Sequence, residues 1–263
     1  MSDKKTKDKP RLALPAGVQT HLKELRRRGL LGLLGIAVGM VFGWIIYEPL
    51  FQILQEPMVN LASENDRLAA LNFAGVGAAF STKIKISAFV GLAVSFPWWM
   101  YQLVAFVWTG LLRREKRIMV TLALSALPLF FGGIALAWIF VPVSIEVLAG
   151  FAPDYTATMI NAEVYFDFVL KMLLSFGAAF LLPLAIVGLT GMGIVSSRTW
   201  LKGWRWAILL SFLFAAMASP SGDILTMTGL GLPIVGLYFG AIGVGYAWEL
   251  RKMRAYEKAL SQA

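Results

Sequence analysis

Long runs without a charged residue constrain this chain of 263 residues more than any other feature. A helix that crosses a bilayer needs about 17 or more mostly apolar residues, and all but the fifth of the six runs meet this requirement. The runs are Gly29 to Tyr47, Ile86 to Leu112, Ile118 to Ile145, Met172 to Ser197, Trp206 to Gly222 and Ile224 to Trp248. The composition agrees, because 58% of the residues are hydrophobic and 15% are charged, against roughly 45–50% and 25% in soluble domains. We predict an all-α integral membrane protein with six transmembrane helices.

Lysine and arginine are unevenly distributed among the segments that flank these runs. Twenty of them lie in the head, the second-third connection, the fourth-fifth connection and the tail, whereas the alternate connections hold only Arg67, Lys83 and Lys85. Basic residues near membrane spans stay on the cytoplasmic side. The sequence therefore predicts a multi-pass protein of the cytoplasmic (inner) membrane with both termini in the cytoplasm.

The chain divides into three predicted parts. Residues 1–20 form a basic head that we expect to be disordered, residues 21–250 hold the transmembrane helices, and residues 251–263 form a short cytoplasmic tail. Leu68 to Thr82 is uncharged but short, which favours an interfacial helix. Prolines inside the runs should bend or interrupt their helices, because each removes a backbone donor; they are Pro97, Pro128, Pro183 and Pro233.

Two features depart from a simple apolar span. The fifth run has about thirteen apolar residues before its Ser-Pro-Ser-Gly-Asp turn, and these cover about 20 Å of a core about 30 Å thick. Asp167 and Lys171 lie one helical turn apart at the start of the fourth helix. An ionisable residue inside a span is a candidate for function, although a pair at this spacing can also satisfy itself at the interface. The sequence leaves both interpretations open.

A charged segment, His21 to Arg28, precedes the first run and holds one acid among four bases. Glu24 has Arg27 and Arg28 three and four positions further on, where helix side chains meet. One interpretation is a solvated helix face stabilised by a few tenths of a kcal/mol per pair. The other is a carboxylate kept ionised by its neighbours and offered to a cationic ligand at the membrane surface.

Several function classes find little support. The chain has no cysteine and a single histidine, which argues against a cysteine or histidine metal site. It lacks the serine-elbow, HExxH and phosphate-cradling motifs, so we predict neither an enzyme nor a bound cofactor. Its bases bound apolar runs instead of forming a nucleic-acid surface. A small-solute transporter or channel remains the alternative, since the bent helices and Lys171 are compatible with one.

Three motifs, taken in order, resemble the TatC family, the polytopic subunit of the twin-arginine protein translocase. The segment His21 to Arg28 is similar to the family's HLxELRxR motif. Tyr101-Gln102 with Phe106, followed by Arg113 to Arg117, is similar to its second-third loop, and Ser219 to Asp223 is similar to its fifth-sixth turn. The resemblance covers the chain from His21 to about Arg251.

This resemblance implies a curved six-helix bundle with short fifth and sixth helices that acts as the receptor for twin-arginine signal peptides. It implies that Glu24 and Glu115 contact the signal arginines, and it assigns Arg26, Arg28 and Gln102 to the same site. It also implies export of folded proteins driven by the proton-motive force, small single-span partners of the TatA and TatB types, and a homo-oligomer within the receptor complex. Asp167, Lys171 and Asp223 become candidates for intramembrane or partner contacts.

The chain departs from the family pattern within its fourth run. Leu181 stands where many members carry a glutamate, so the role of that acid does not transfer. Whether Asp167 and Lys171 replace it stays open. Thr109 also stands at a common proline position, and the Ser219 to Asp223 turn is one residue longer than usual.

Overall fold

The computed structural model describes residues 16–64, 70–150, 159–218 and 224–260, and these are almost entirely helical. The elements, in chain order, are α1 (Ala16–Ile45), α2 (Tyr47–Glu64), β1 (Ala70–Asn72), α3 (Ala78–Val94), α4 (Phe96–Trp108), α5 (Arg113–Ala149), β2 (Met159–Asn161), α6 (Ala162–Ala179), α7 (Leu182–Met192), α8 (Ser197–Lys202), α9 (Trp204–Ala218) and α10 (Ile224–Leu260).

The described helices include four that are long and apolar enough to cross a membrane, which are His21–Ile45, Glu115–Val147, Ala162–Met192 and Thr226–Arg251. The consecutive helices α3 and α4 pass the same test together and are bent by 53°. The remaining apolar helix, α9, has 15 residues, about 22 Å at 1.5 Å per residue. The predicted class, an all-α membrane protein, and the short fifth helix are confirmed, whereas the count of six spans and the orientation of the termini stay predictions.

Contacts between neighbouring helices define two ends of the molecule. We call the end with the start of α1, the α4–α5 junction and α8 the basic end, and the end with α2 and the two strands the acidic end. The helices alternate in direction between these ends. A contact of Gly43 with Ser87 joins α1 to α3 nearer the acidic end, and one of Gly35 with Trp98 joins α1 to α4 nearer the basic end.

Glycines bring α1 and α3 unusually close together. A Cβ on Gly39 would lie 2.8 Å from the Gly91 carbonyl oxygen, and a Cβ on Gly91 would lie 2.7 Å from the backbone of Ile36 and Met40. Small residues allow this backbone contact. In a membrane the lipid tails are as apolar as the side chains, so such close van der Waals packing is what holds two helices together. Helices α1 and α3, which belong to the first and second apolar runs, therefore pack with their backbones in direct contact.

The main core surrounds α6, the most buried helix. Phe166, Val169 and Phe176 on α6 are at most 1% exposed and belong to a cluster with residues of α2, α3, α5, α9 and α10. A second, smaller cluster joins α4 to α5 through Phe96 and Phe130, whose rings stack 4.0 Å apart. The acidic half of the molecule thus holds most of the core, and α4 extends from it towards the basic end.

Two of the four prolines coincide with helix breaks. Pro97 lies in the first turn of α4, just after the bend at Ser95, and the carbonyls near the bend accept hydrogen bonds from the side chains of Ser95 and Trp99. Pro183 lies in the first turn of α7, after the break that separates it from α6. Helices α5 and α10 continue through Pro128 and Pro233. The prediction of an interruption is confirmed at Pro97 and Pro183.

Two predictions about helices are wrong. The interfacial helix from Leu68 to Thr82 is replaced by β1, which pairs in parallel with β2, and α3 begins only at Ala78; Gly75 and Gly77 disfavour a helix there, and residues 68 and 69 lie outside the described part. The short sixth helix is instead the 37-residue α10. It continues past Trp248 because Glu249, Leu250 and the residues that follow are good helix formers.

Candidate functional site

Glu24 and Arg28 form a side-chain pair at the basic end, one turn apart on α1. Arg28 donates from Nε and Nη2 to the same oxygen, Oε1 of Glu24, at 3.0 and 2.9 Å. Each side chain keeps 26% of its surface exposed. The pair expected from the i,i+4 spacing is therefore present, and its partial exposure leaves the carboxylate within reach of another cation.

Glu115 lies in the first turn of α5, at the same end. Its Oε2 accepts a hydrogen bond of 2.9 Å from the backbone N–H of Leu112, the residue just before the helix. An acid in this position satisfies a free donor of the first turn and interacts favourably with the helix dipole. The neighbouring Lys116 places its ammonium 5.3 Å from the ring centroid of Trp108.

An apolar groove of about 580 Å³ runs between α4 and α5 beside these residues. Among the residues that the structure describes, Arg28 is the one charged residue that lines it, at the groove's contact with α1. The other lining residues are Pro97, Met100, Tyr101, Val104, Ala105, Trp108, Thr109, Val120, Ala123, Leu124 and Leu127. Arg28 thus touches both Glu24 and the groove, and Trp108 connects the groove to the turn that holds Glu115.

The remaining predicted site residues differ in their accessibility. Gln102 is 6% exposed on α4 and therefore cannot meet a ligand without a rearrangement, whereas Arg26 is exposed on α1. His21 packs against Phe106 with ring centroids 4.6 Å apart, which fixes the start of α1 beside α4. Sequence reasoning quoted His21 and Phe106 within two motifs but did not foresee their contact.

Asp167 belongs to an ion-pair cluster at the acidic end. Lys85 of α3 contacts Asp167 at 2.9 Å and Glu163 at 2.7 Å, and Ser81 also donates to Glu163. Lys171 lies further from Asp167, at 3.5 Å, and keeps 61% of its side chain exposed. Asp167 therefore has a strong contact within its own chain, between α3 and α6. A partner contact of Asp167 and Lys171 stays a prediction, and Asp223 lies outside the described residues.

Sequence reasoning missed Lys85 and Glu163 as members of this cluster. The available signal was that Lys83 and Lys85 are basic residues on a side rich in acids, which predicts an ion pair. Lys83 lies 4.5 and 5.0 Å from the ring centroids of Trp44 and Tyr47. Both lysines are therefore engaged within the chain.

Comparisons with known proteins agree with the motifs. The family model described as Sec-independent protein translocase protein (TatC) matches residues 20–233. A relative of the same description from Xylanimonas cellulosilytica is 43% identical, covering 89% of this chain and 85% of the relative. Another from Synechocystis sp. is 36% identical, covering 85% of each chain.

A solved structure has the same fold. The crystal structure of a twin-arginine translocase receptor, TatC, in DDM is similar with a TM-score of 0.76 and 27% sequence identity. The match covers 86% of this chain and 99% of the other. This family is one of membrane-embedded translocase components, not of enzymes, and it replaces the small-solute alternative. The chain belongs to the TatC family of Sec-independent protein translocase proteins.

Proposed function

We propose that this protein is the receptor and core subunit of a twin-arginine translocase and binds signal peptides with consecutive arginines at its basic end. One observation carries the proposal: the Glu24–Arg28 pair borders an apolar groove of about 580 Å³. A twin-arginine signal peptide offers two matching parts, guanidinium groups and an apolar segment. The family membership and the name of the similar crystal structure support the same function.

Arg28 indicates how a signal arginine would be bound. Its guanidinium already holds the Glu24 carboxylate through two N–H groups. A partly exposed pair of this kind is worth only about 0–1 kcal/mol, so an incoming guanidinium can replace it at little cost. A charge-assisted hydrogen bond in a drier site contributes about 1.5–3 kcal/mol. We infer that the signal arginine exchanges with Arg28 on Glu24.

The groove would receive the apolar segment that follows the arginines. Its volume lies within the range of about 300–1,000 Å³ that ligand pockets usually have. Burial of the segment gains about 25 cal/mol per Å² of apolar surface, and it also excludes water from the neighbouring carboxylates. The two parts of the site therefore strengthen each other, which two exposed ion pairs alone could not achieve.

The same geometry gives a reason for arginine over lysine. Guanidinium is planar and binds a carboxylate through two parallel N–H groups, whereas an ammonium is a compact and strongly hydrated charge. The exposed bases around Glu24, including Arg26, would repel a cation that lacks the matching geometry. Glu115 supplies the second carboxylate, although a signal arginine has to compete there with the Leu112 N–H.

The wider assembly is part of the proposal. We infer a place in the cytoplasmic membrane with both termini in the cytoplasm, single-span partners of the TatA and TatB types, and more than one copy in the receptor complex. From the family resemblance we also infer that export of folded cargo draws on the proton-motive force. The distribution of bases supports the orientation.

Binding of a fluorescent twin-arginine peptide to the purified protein tests the carboxylates. Glu24→Gln and Glu115→Gln should each weaken binding about tenfold, because each removes a charge-assisted hydrogen bond of about 1.5 kcal/mol or more. Glu146→Gln is the matched control, since this acid is exposed at the acidic end. If a protein with both Glu24→Gln and Glu115→Gln binds the peptide with unchanged affinity and still prefers it to a twin-lysine peptide, the site lies elsewhere.

Replacement of either of two alanines on α5 by phenylalanine tests the groove. Ala123 lines the groove, whereas Ala135 is exposed on the same helix away from it. Ala123→Phe should reduce affinity for the whole peptide and leave a short peptide with only the arginine pair unaffected. Ala135→Phe should change neither affinity. Equal effects of the two substitutions would remove the groove from the site.

A further inference from the structure

A second apolar groove, distinct from the first, lies among α7, α8, α9 and α10 and measures about 670 Å³. Its wall runs from Gly203, between α8 and α9 at the basic end, to Phe214 of α9. The other lining residues are Leu182, Ala185, Ile186, Val195, Thr199, Trp200, Trp206, Ala207, Leu210, Ser211, Ile234 and Tyr238. The eleven residue steps from Gly203 to Phe214 correspond to about 16 Å at the helical rise of 1.5 Å per residue.

Two hydroxyls in the wall are satisfied within the chain, whereas the buried Nε1 of the lining residue Trp200 has no hydrogen-bond partner among the described residues. The Ser211 hydroxyl donates to the Ala207 carbonyl at 2.7 Å, and the Tyr238 hydroxyl donates to the Trp200 carbonyl. The groove therefore offers mainly hydrocarbon to an occupant. Its length of about 16 Å also matches one leaflet of a bilayer core about 30 Å thick.

Basic residues flank the open end of this groove. Arg198 and Lys202 lie on either side of the lining residues Thr199 and Trp200 along α8, and Arg205 precedes the lining residue Trp206. All three bases are exposed, and none lies within 4.0 Å of a carboxylate in the ranges that the structure describes. The acid in this region, Glu249, accepts a hydrogen bond from the Ser197 backbone instead. The rim thus carries an excess of positive charge.

We propose that this groove binds an anionic phospholipid, with an acyl chain between α7 and α9 and its phosphate beside Arg198, Lys202 and Arg205. Basic pockets between transmembrane helices are a recognised chemistry for such head groups. An acyl chain of one leaflet fits the groove, which covers about half of a core about 30 Å thick, and the bases at its rim match the charge of an anionic head group. Trp204 and Trp206 next to these bases are 44% and 69% exposed, and tryptophan is a residue type enriched where a membrane protein meets the lipid head groups.

Native mass spectrometry of the delipidated protein, titrated with phosphatidylglycerol or phosphatidylcholine in detergent, tests the charged rim. Lys202→Gln with Arg205→Gln should weaken the tightest phosphatidylglycerol site about 30-fold, because each base near an anionic lipid contributes about 1 kcal/mol. Arg251→Gln with Arg254→Gln is the matched control, since both arginines are exposed on α10 beyond the groove. The control should keep its affinity. Equal binding of the two lipids by the unaltered protein would overturn the proposal.

A filled groove tests the position of the acyl chain. Ala207→Phe should abolish the tight phosphatidylglycerol site, whereas Ala216→Phe, on an exposed part of α9 outside the groove, should retain it. Twin-arginine peptide binding should be normal in both variants, which shows that they are folded. Retention of the lipid by Ala207→Phe, or a partner helix crosslinked along the groove with no lipid bound, would refute the assignment.

Discussion

Substitution of Gly91 by alanine should push α1 and α3 apart. The added Cβ would lie 2.7 Å from the Ile36 carbonyl oxygen and from the Met40 nitrogen. Both are backbone atoms, which cannot turn aside as a flexible side chain can. Ordinary contacts begin at 3.4 Å, so α1 and α3 have to move apart by about 0.7 Å unless another part of the fold yields.

This displacement gives the expected magnitude. A radial gap of about 0.5–1 Å loses a quarter to a half of the van der Waals attraction of each atom pair that it separates. Because α1 is rigid, the loss extends to the close contacts of Gly39 and Gly43. Overpacking of a tight interface costs about 1–3 kcal/mol, and we expect about 2 kcal/mol here. That corresponds to a decrease in Tm of about 4–8 °C for a chain of this size.

Thermal unfolding in detergent, followed by circular dichroism, measures the effect. Gly29→Ala and Gly132→Ala are matched controls, because an added Cβ meets nothing within 4 Å at either position. Alanine is favoured over glycine in a helix by about 0.5–1 kcal/mol, so these variants should be as stable as the parent or more stable. A Gly91→Ala protein that melts together with its controls would show that the helices do not depend on this contact.

Three further predictions concern an ion pair, a buried hydrogen bond and the orientation in the membrane. Lys85→Met should lower the Tm clearly more than Lys171→Met, because Lys85 lies within 2.9 Å of two carboxylates and Lys171 lies 3.5 Å from one and is more exposed; equal melting of both variants would contradict this. Tyr165→Phe should destabilise the protein by about 1–3 kcal/mol in a denaturant titration, because the buried Leu54 carbonyl loses its 2.8 Å hydrogen bond. Reporter fusions placed after Arg113, Asp154, Arg198, Asp223 and Lys258 should alternate between cytoplasmic and external positions, starting in the cytoplasm. An external C-terminus would contradict the predicted orientation.

Apolar length and proline position predicted most of the helical framework from the sequence. The short α9 follows from a run that ends after about thirteen apolar residues, and the breaks near Pro97 and Pro183 follow from a missing backbone donor. The strand pair β1–β2 was not predictable in this way, because its two three-residue segments lie almost 90 positions apart and carry no alternating pattern. The length of α10 was not predicted, because the expectation of a short sixth helix came from the resemblance to the TatC family. The helix propensity of Glu249 to Met253 was not considered.

The candidate site was predictable where it depends on local spacing. The i,i+4 rule gives the Glu24–Arg28 pair directly. The Lys85–Glu163 contact joins residues 78 positions apart, and no periodicity in one sequence encodes such a distance. The groove lies between α4 and α5, and no pattern in the sequence shows how closely these two helices pack. Its lining residues were therefore recognisable as apolar but not as members of one surface.

The distribution of the core implies that the proposed binding at the basic end need not disturb the fold. The acidic half is fixed by the cluster around α6, by Lys85 between α3 and α6, and by the Tyr165 hydrogen bond to α2. Towards the basic end, α4 packs on α5 through Phe96 and Phe130, and beyond them the two helices leave an open groove. A ligand that enters a preformed groove avoids most of the ordering cost that otherwise offsets burial. Affinity should therefore depend on the exchange at Glu24 and on the apolar surface buried in the groove, and little on rearrangement of the remaining helices.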